Sequence, residues 1–167
     1  MSFKKISVKE INGNVFELVG DHWMLVTGGD ESGFNTMTAS WGGLGVLWQK
    51  AVAFCFVRPQ RYTRKFMDDG KYYTLSFFSE NFRDKLYLCG AKSGRDVDKV
   101  KETGLTPCCA DSGAVYFQEA ELVIVCKKIY FHDFEPENFL TPEIAGTYEN
   151  GDYHRMYVGE IVEVLTK

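Results

Sequence analysis

Runs of β-favouring residues recur along the chain, separated by turns rich in glycine, proline or acidic residues. Several runs alternate apolar and polar positions, whereas the run from Ala51 to Val57 is apolar throughout, which is typical of a strand buried on both faces. The glycines and acids between Gly28 and Gly33 predict a turn. We predict strands over residues 14–19, 23–28, 34–41, 51–57, 72–78, 114–130 and 153–165.

Helical spacing replaces this pattern in two places. Pro59 suits the start of one helix, and Ser79 can cap another over residues 80–88. One face of each is apolar: Tyr62, Phe66 and Met67 in the first, and Phe82, Leu86 and Cys89 in the second. Residues 114–130 fit one long strand or the arm of a hairpin. Because no repeat or linker interrupts the series, we predict a single domain over residues 1–167, mainly β with flanking helices and closed as a β-barrel.

The stretch from Phe34 to Trp48 differs from an ordinary core strand. Its first half carries small hydroxyl and amide side chains where a core strand would carry Val, Ile and Leu. It then breaks at Gly42, Gly43 and Gly45, where the backbone can take positive φ or let another group approach closely. Such an edge suits a flat ligand that hydrogen-bonds along the backbone, although an edge strand whose hydroxyls face water explains the same residues.

A cluster of cations follows the apolar strand. Arg58, Arg61, Arg64 and Lys65 crowd the predicted start of the first helix, where the helix dipole favours negative charge. A bound anion resolves this conflict. Arg64 and Lys65 fit a solvated basic face, whereas Arg58 and Arg61 with Thr63 are candidates for the anion.

The loop over residues 89–99 supplies small residues, a hydroxyl and further cations. It is a candidate for the second wall of an anion pocket, with Asp96 and Asp98 offsetting part of its charge. An ordinary surface loop has the same composition. The acidic, proline-marked loop over residues 131–142 carries Phe134, Phe139 and Leu140, which are candidates to pack on a second subunit.

Composition and charge narrow the classes of function. The 167 residues are 45% hydrophobic and 15% aromatic, which is typical of a folded globular protein. A net charge of −4 argues against general binding to nucleic acid or to a membrane surface. The first residues lack the apolar run of a signal peptide, so a cytoplasmic location is expected.

Familiar catalytic and metal-binding motifs do not occur in the sequence. The five cysteines include no Cys-x-x-Cys pair, which favours reduced thiols and argues against a zinc site. No Gly-x-Gly-x-x-Gly fingerprint, phosphate loop, His-Glu-x-x-His or nucleophile elbow is present. Among the three histidines, His154 is the candidate for chemistry, because it lies at the start of the last strand among small and aromatic residues.

Four stretches together resemble the flavin reductase-like, FMN-binding split-barrel proteins, in particular the flavoredoxin-like branch. They occur in the order of that family and extend from about residue 20 to the C-terminus. The stretches are Asn35-Thr36-Met37-Thr38-Ala39-Ser40-Trp41-Gly42, Arg58-Pro59-Gln60-Arg61-Tyr62-Thr63, Cys89-Gly90 with Ser93-Gly94 and Asp98-Lys99, and His154-Arg155-Met156-Tyr157-Val158-Gly159-Glu160-Ile161.

The resemblance implies a Greek-key split β-barrel that forms a homodimer with FMN at the subunit interface. It places one set of residues against the isoalloxazine and the ribityl chain: Asn35, Thr36, Met37, Thr38, Ala39, Ser40 and Trp41. It assigns a second set to the phosphate: Arg58, Gln60, Arg61, Thr63, Ser93 and Lys99. His154 is then expected beside the ring or the nicotinamide, where it steadies negative charge on reduced flavin.

The implied reaction is hydride transfer from NAD(P)H to FMN, followed by electron release to a small-molecule or protein acceptor. The flavin supplies the chemistry, so an acid–base dyad is not required. Three other interpretations stay open: a non-catalytic FMN-binding electron carrier reduced by a protein partner, a structural or ligand-storage barrel, and a pyridoxamine phosphate oxidase-like protein.

Overall fold

The computed structural model describes residues 2–167, in which antiparallel β-structure dominates. Most of the predicted strands are present, some of them with different bounds. The strands are β1 (Lys4–Ile6), β2 (Met24–Asp30), β3 (Gly33–Ala39), β4 (Gly42–Leu47), β5 (Lys50–Val57), β6 (Tyr72–Phe77), β7 (Pro107–Cys109), β8 (Val115–Phe117), β9 (Leu122–Asp133) and β10 (Arg155–Thr166).

Short helices connect and flank the strands. The α-helices are α1 (Thr63–Asp69), α2 (Arg83–Ala91), α3 (Lys99–Thr103) and α4 (Pro142–Ala145). Short 3-10 turns span Val8–Glu10, Glu80–Phe82, Pro136–Asn138 and Gly146–Tyr148, and a π-helical turn spans Glu17–Asp21. In the part of the chain that the structure describes, no helix combines the length and the apolar character that crossing a bilayer requires.

Within residues 2–167, one eight-stranded sheet holds all the strands except β7 and β8. Its order is β3-β2-β6-β9-β10-β5-β4, with β1 paired to β10, and all the pairings are antiparallel. The two edge strands, β3 and β4, are joined by Ser40 and Trp41 alone. A link this short forces the sheet to curl until its edges approach each other, which gives a barrel with an open seam.

Two clusters of buried side chains fill the structure. One lies inside the curled sheet around Tyr73, Leu75 and Tyr157, which are all at most 1% exposed. The other lies between the sheet and α2, where Leu86 and Cys89 pack with Leu25 and Phe117. The predicted apolar face of the second helix is therefore confirmed, and Cys89 is a core residue.

The predicted strand over residues 14–19 is wrong. Residues 15–21 are helical, and Asn14 caps them by accepting a hydrogen bond from the Phe16 N–H through its side chain. Val15, Leu18 and Val19 pack against the barrel core. Their spacing of three and four residues is that of a helix face, so the correct signal was present in the sequence.

Four further predictions about the strands are corrected by the structure. The chain does not break at Gly42, because β4 begins there and pairs with β5; the expected close approach is present, since a Cβ on Gly42 would lie 2.6 Å from the Phe54 carbonyl oxygen. Residues 114–130 form two strands, since β8 turns away to pair with β7 before β9 begins. Strand β9 continues to Asp133, into the predicted loop. In β5, Phe54 and Phe56 are only half-buried.

Gly159 marks a tight contact within the barrel. It lies in β10 where the register with β9 shifts, and a Cβ there would lie 2.6 Å from the Cys126 Cβ and even closer to the hydroxyl of buried Tyr73. We expect Gly159→Ala to lower the free energy of unfolding by about 1–3 kcal/mol, because the packed neighbours must move. Denaturant unfolding measures this change. In Gly45→Ala, on the exposed edge strand, we expect a change within about 0.5 kcal/mol; equal losses in the two variants would refute the explanation.

Candidate functional site

Adjoining cavities line the outer side of β3 and form one groove. They share Arg61, and they connect two ends that we name by their chemistry. The aromatic end, of about 330 Å³, is lined by Met37, Thr38, Ala39, Ser40, Trp41, Phe56, Arg58, Gln60, Arg61 and His154. The cationic end, of about 140 Å³, is lined by Asn35, Met37, Gln60, Arg61, Tyr62, Thr63, Ala91, Lys92, Ser93, Gly94 and Lys99. A further cavity of about 330 Å³, between β3 and α2, continues the groove past Gly90 and Tyr87.

Two cations at the cationic end bind backbone carbonyls instead of carboxylates. Lys99 Nζ donates to the Thr36 and Cys89 carbonyl oxygens, at 2.7 Å each. Arg61 Nη1 donates to the Gly90 carbonyl oxygen at 2.8 Å. Within residues 2–167, neither side chain forms an ion pair.

Burial makes this arrangement electrostatically costly for the free protein. Desolvation lowers the pKa of Lys99 to about 8; the nearby Arg61 charge acts in the same direction, and Cys89 opposes it. Desolvation also lowers the pKa of Arg61. A bound anion would relieve both effects, since an opposite charge within a few ångströms favours the charged form of each side chain. The cationic end is therefore built to take an anion.

Small and hydroxyl-bearing residues complete the cationic end. Thr63 Oγ1 accepts a hydrogen bond from Asn35 Nδ2 at 2.8 Å, which leaves the threonine hydroxyl free to donate. Gly94 lies so close to Asn35 that a Cβ on it would collide with the amide oxygen. Ser93 Oγ accepts from the Arg95 N–H at 3.2 Å. These donors, with no acid among the lining residues, fit a phosphate monoester.

Arg58 lines the aromatic end together with Arg61 and Gln60, but it does not reach the cationic end. Its Nη1 donates to Asp152 Oδ2 at 2.6 Å, and Gln60 Nε2 donates to the same oxygen at 2.7 Å. The hydrogen bond from Gln60, together with Arg58, holds the pKa of Asp152 below its usual range. The other carboxylate oxygen of Asp152 is buried and unpaired within the described residues. Arg58 and Gln60 thus share Asp152 as a partner, and their contact with a phosphate stays a prediction.

The first helix begins later than predicted, at Thr63, so Arg58 and Arg61 precede it in a turn. The dipole argument for an anion therefore does not apply to these arginines. Arg64 and Lys65 form ion pairs one turn along with Asp68 and Asp69. The Lys65 side chain is solvated as expected, whereas the Arg64 side chain is only 15% exposed and also reaches Asp133.

Aromatic side chains and His154 form the opposite end of the groove. The ring centroids of Trp41 and His154 lie 5.1 Å apart, and Trp41 is 51% exposed. His154 follows a segment rich in aromatic residues, and its Nδ1 lies 2.7 Å from the Tyr148 hydroxyl. Burial lowers the pKa of His154 to about 4; the Arg58 charge adds to this effect and Asp152 opposes it. The imidazole is therefore neutral at neutral pH.

The structure brings most of the predicted site residues to one groove. Asn35, Ser93, Thr63 and Lys99 line the cationic end, Arg61 and Gln60 border both ends, and residues 37–41 line the aromatic end with His154. Thr36 contributes its carbonyl oxygen to Lys99, while its hydroxyl bonds inward to Thr27 and to the Val26 carbonyl. Thr38 donates to the Leu86 carbonyl.

Sequence reasoning missed Phe56, Tyr148 and Asp152. Phe56 was assigned wholly to the core, whereas it borders the aromatic end. Tyr148 and Asp152 lie close before His154 in the sequence, so their nearness along the chain was an available signal. In the same segment, Phe134 and Phe139 pack on Tyr148 of their own chain, and their packing on a second subunit stays a prediction.

A larger cavity of about 700 Å³ lies beyond the cationic end. It shares Asn35, Gly94 and Lys99 with that end, but Glu31, Asp96 and Asp98 also line it. Those carboxylates disfavour an anion. We therefore place the candidate site in the smaller groove along β3.

The curled antiparallel sheet and its groove define a split-barrel protein with one cationic and one aromatic end. The family described as flavin reductase like domain matches residues 18–167. Since this match spans most of its length, the chain belongs to that family. The predicted mainly β, Greek-key split barrel with flanking helices is confirmed. No curated protein sequence matches the chain.

Solved structures with the same fold include proteins named for flavin binding. An FMN-binding protein from Thermus thermophilus with bound p-hydroxybenzaldehyde is 18% identical, with a TM-score of 0.70 over 98% of this chain and 82% of that chain. Flavoredoxin of Desulfovibrio vulgaris is 24% identical, with a TM-score of 0.67 over 87% and 69%. The NADH:FAD oxidoreductase of Streptomyces globisporus is 16% identical, with a TM-score of 0.65 over 87% and 75%.

Proposed function

We propose that the protein is an FMN-dependent flavin reductase that transfers a hydride from NAD(P)H to FMN and passes the electrons to a small-molecule or protein acceptor. The observation that carries this proposal is a pair of cations, the buried Lys99 and the half-buried Arg61, which have backbone partners but no carboxylate partner among residues 2–167. A flavin carrying a phosphate supplies the missing negative charge. The family match and the names of the similar structures support the same cofactor.

The proposed roles follow the two ends of the groove. Arg61, Lys99 and Thr63, with Asn35 and Ser93, hold the phosphate; a guanidinium and an ammonium suit a dianion. Residues 36–41, along β3 and the link that follows it, line the ring and the ribityl chain. Arg58 and Gln60, held by Asp152, form the wall near His154.

The chain's contribution to catalysis is orientation and electrostatics. When bound, FMN supplies the hydride-accepting chemistry. Trp41 offers an aromatic face at the open side of the groove, and the half-buried Arg58 places positive charge near the ring end. His154 is neutral, so it acts as a hydrogen-bonding group and not as a cation.

The direct test is a visible absorption spectrum of the purified protein with added FMN, before and after anaerobic addition of NADH or NADPH. We expect FMN to bind and to bleach on reduction. Arg61→Gln should weaken FMN binding about 10- to 100-fold, because a charge-assisted hydrogen bond contributes about 1.5–3 kcal/mol. Riboflavin, which lacks the phosphate, should bind Arg61→Gln and the wild type equally.

The results of the FMN experiment distinguish a flavin reductase from a non-catalytic electron carrier. FMN that binds but is reduced only by a protein partner indicates the electron carrier, and a protein that ignores FMN refutes both flavin functions. Lys101→Gln, an exposed lysine two residues from Lys99, serves as the charge-matched control for the cationic end and should bind FMN normally.

The lowered pKa of Lys99 predicts a pH dependence of binding. Lys99 is charged below pH 8 and loses its charge as the pH rises through about 8, whereas a bound phosphate raises its pKa. FMN affinity should therefore be constant near pH 7 and fall above pH 8, by at most about tenfold per pH unit. Titrations that follow flavin fluorescence from pH 7 to 10 measure this fall. The phosphate is already a dianion in this range, so a Lys99→Gln variant with the same slope would exclude Lys99 as its cause.

We also propose a homodimer. Large apolar side chains stay exposed on the half of the sheet that carries the aromatic end: Val46, Trp48, Tyr130, Phe131 and Val162. A second copy would cover this face, and Trp48 already contacts Tyr130 there. Sedimentation equilibrium should give twice the mass of one chain. Trp48→Glu should weaken the dimer, whereas Phe16→Glu, at an exposed site on the N-terminal helical turn, should not; a monomeric wild type would refute the proposal.

A further inference from the structure

Tyr148 and His154 form an isolated hydrogen-bonded pair at the aromatic end. The tyrosine hydroxyl lies 2.7 Å from His154 Nδ1. Tyr148 is 5% exposed and His154 is 8% exposed, so water has little access to either side chain. A hydrogen bond between two such groups fixes which nitrogen of the ring carries the proton.

The need of the phenol proton for an acceptor sets the direction of this hydrogen bond. Within residues 2–167, Nδ1 is the single hydrogen-bond partner of the Tyr148 hydroxyl. If Nδ1–H donated to the phenol oxygen, the buried phenol proton would have no acceptor, and such an orphaned donor costs free energy. In the opposite direction the donor without a protein partner is Nε2–H, and its ring lines the groove, where water or a ligand can accept the bond. The phenol therefore donates to Nδ1, and the proton of the neutral ring is on Nε2.

Both members of the pair are in the protonation state that this direction requires. Burial lowers the pKa of His154, with Arg58 acting in the same direction and Asp152 opposing it, so the ring is neutral. Burial raises the pKa of Tyr148, with Arg58 opposing this shift and Asp152 adding to it, so the phenol keeps its proton. The Arg58 guanidinium lies 5.2 Å from the centre of the Tyr148 ring.

The other nitrogen of the ring is available to a ligand. Nε2 makes no hydrogen bond to any residue of the described chain, and His154 lines the aromatic end of the groove. Neighbouring aromatic rings hold Tyr148 in place, including Phe134, Phe139 and Tyr153. Tyr148 itself is not among the residues that line the aromatic end, so its hydroxyl meets His154 behind the groove lining.

We propose that Tyr148 is a positioning residue that fixes His154 as the tautomer with its proton on Nε2, so that the aromatic end presents a neutral N–H donor. The chemical group it fits is an acceptor, such as a carbonyl oxygen or a ring nitrogen with a free lone pair. Its role toward flavin rests on the proposed function; the tautomer itself does not. A neutral donor keeps its strength over the whole range in which the ring stays uncharged.

The test is nitrogen NMR of the flavin-free protein labelled with ¹⁵N-histidine, because the chain has only three histidines. A His154→Gln variant assigns the signals. At pH 7 we expect the proton of His154 on Nε2, and Nδ1 shielded by an accepted hydrogen bond. In Tyr148→Phe, which keeps the ring and removes the hydroxyl, the Nδ1 signal should move to the position of a free, unprotonated nitrogen.

Tyr153→Phe is the matched control, because its ring packs 5.2 Å from that of Tyr148 while His154 is bonded to Tyr148. It should leave both nitrogen signals of His154 in place. A wild-type ring with its proton on Nδ1 overturns the proposal whether or not the variants fold, and so does an Nδ1 signal that Tyr148→Phe does not move.

Flavin binding is the second measurement. Loss of the fixed tautomer should weaken FMN binding by roughly fivefold in Tyr148→Phe, the effect of one neutral hydrogen bond, and leave it unchanged in Tyr153→Phe. If the NMR result holds and the protein does not bind FMN, the proposed function fails while the assignment of the tautomer stands. If FMN binds and is reduced but the wild-type ring carries its proton on Nδ1, the assignment of the tautomer fails while the proposed function stands.

Discussion

The contact on which the site depends is the ammonium group of Lys99 between two backbone carbonyls. It joins β3, through Thr36, to the C-terminal part of α2, through Cys89, from its own position at the start of α3. These bonds give two of its N–H donors an acceptor, but no negative charge lies opposite the ammonium group in the described part of the chain. Arg61 lies nearby and also lacks a carboxylate partner among residues 2–167. The contacts between β3, α2 and α3 therefore depend on cations whose charge a bound anion would balance.

The position of the groove follows from the place of β3 at the edge of the sheet. One side of this strand pairs with β2, and its other edge has no strand partner among the described residues. This free edge and the small side chains of the strand line the groove, where α2 and the turn after β5 supply the walls. A buried strand in the middle of the sheet has no free edge of this kind.

Part of this arrangement is readable from the sequence. The polar residues of β3 and the existence of the apolar strand β5 are local patterns, and both were readable, although Phe54 and Phe56 are only half-buried. The helical turn at Val15, Leu18 and Val19 was missed because a short apolar run fits either period. Pairing partners such as Asp152 for Arg58 are contacts between residues distant in sequence. Composition and spacing carry no information about such contacts, so the direction in which Arg58 points was beyond prediction.

The two-residue link between β3 and β4 has a consequence for motion. Ser40 and Trp41 belong both to the wall of the groove and to the seam where the barrel is open. Any widening of that seam must displace the indole, and any molecule pressed against the indole resists the widening. A molecule bound against the indole would therefore bridge the seam, where β3 and β4 are not paired with each other among residues 2–167.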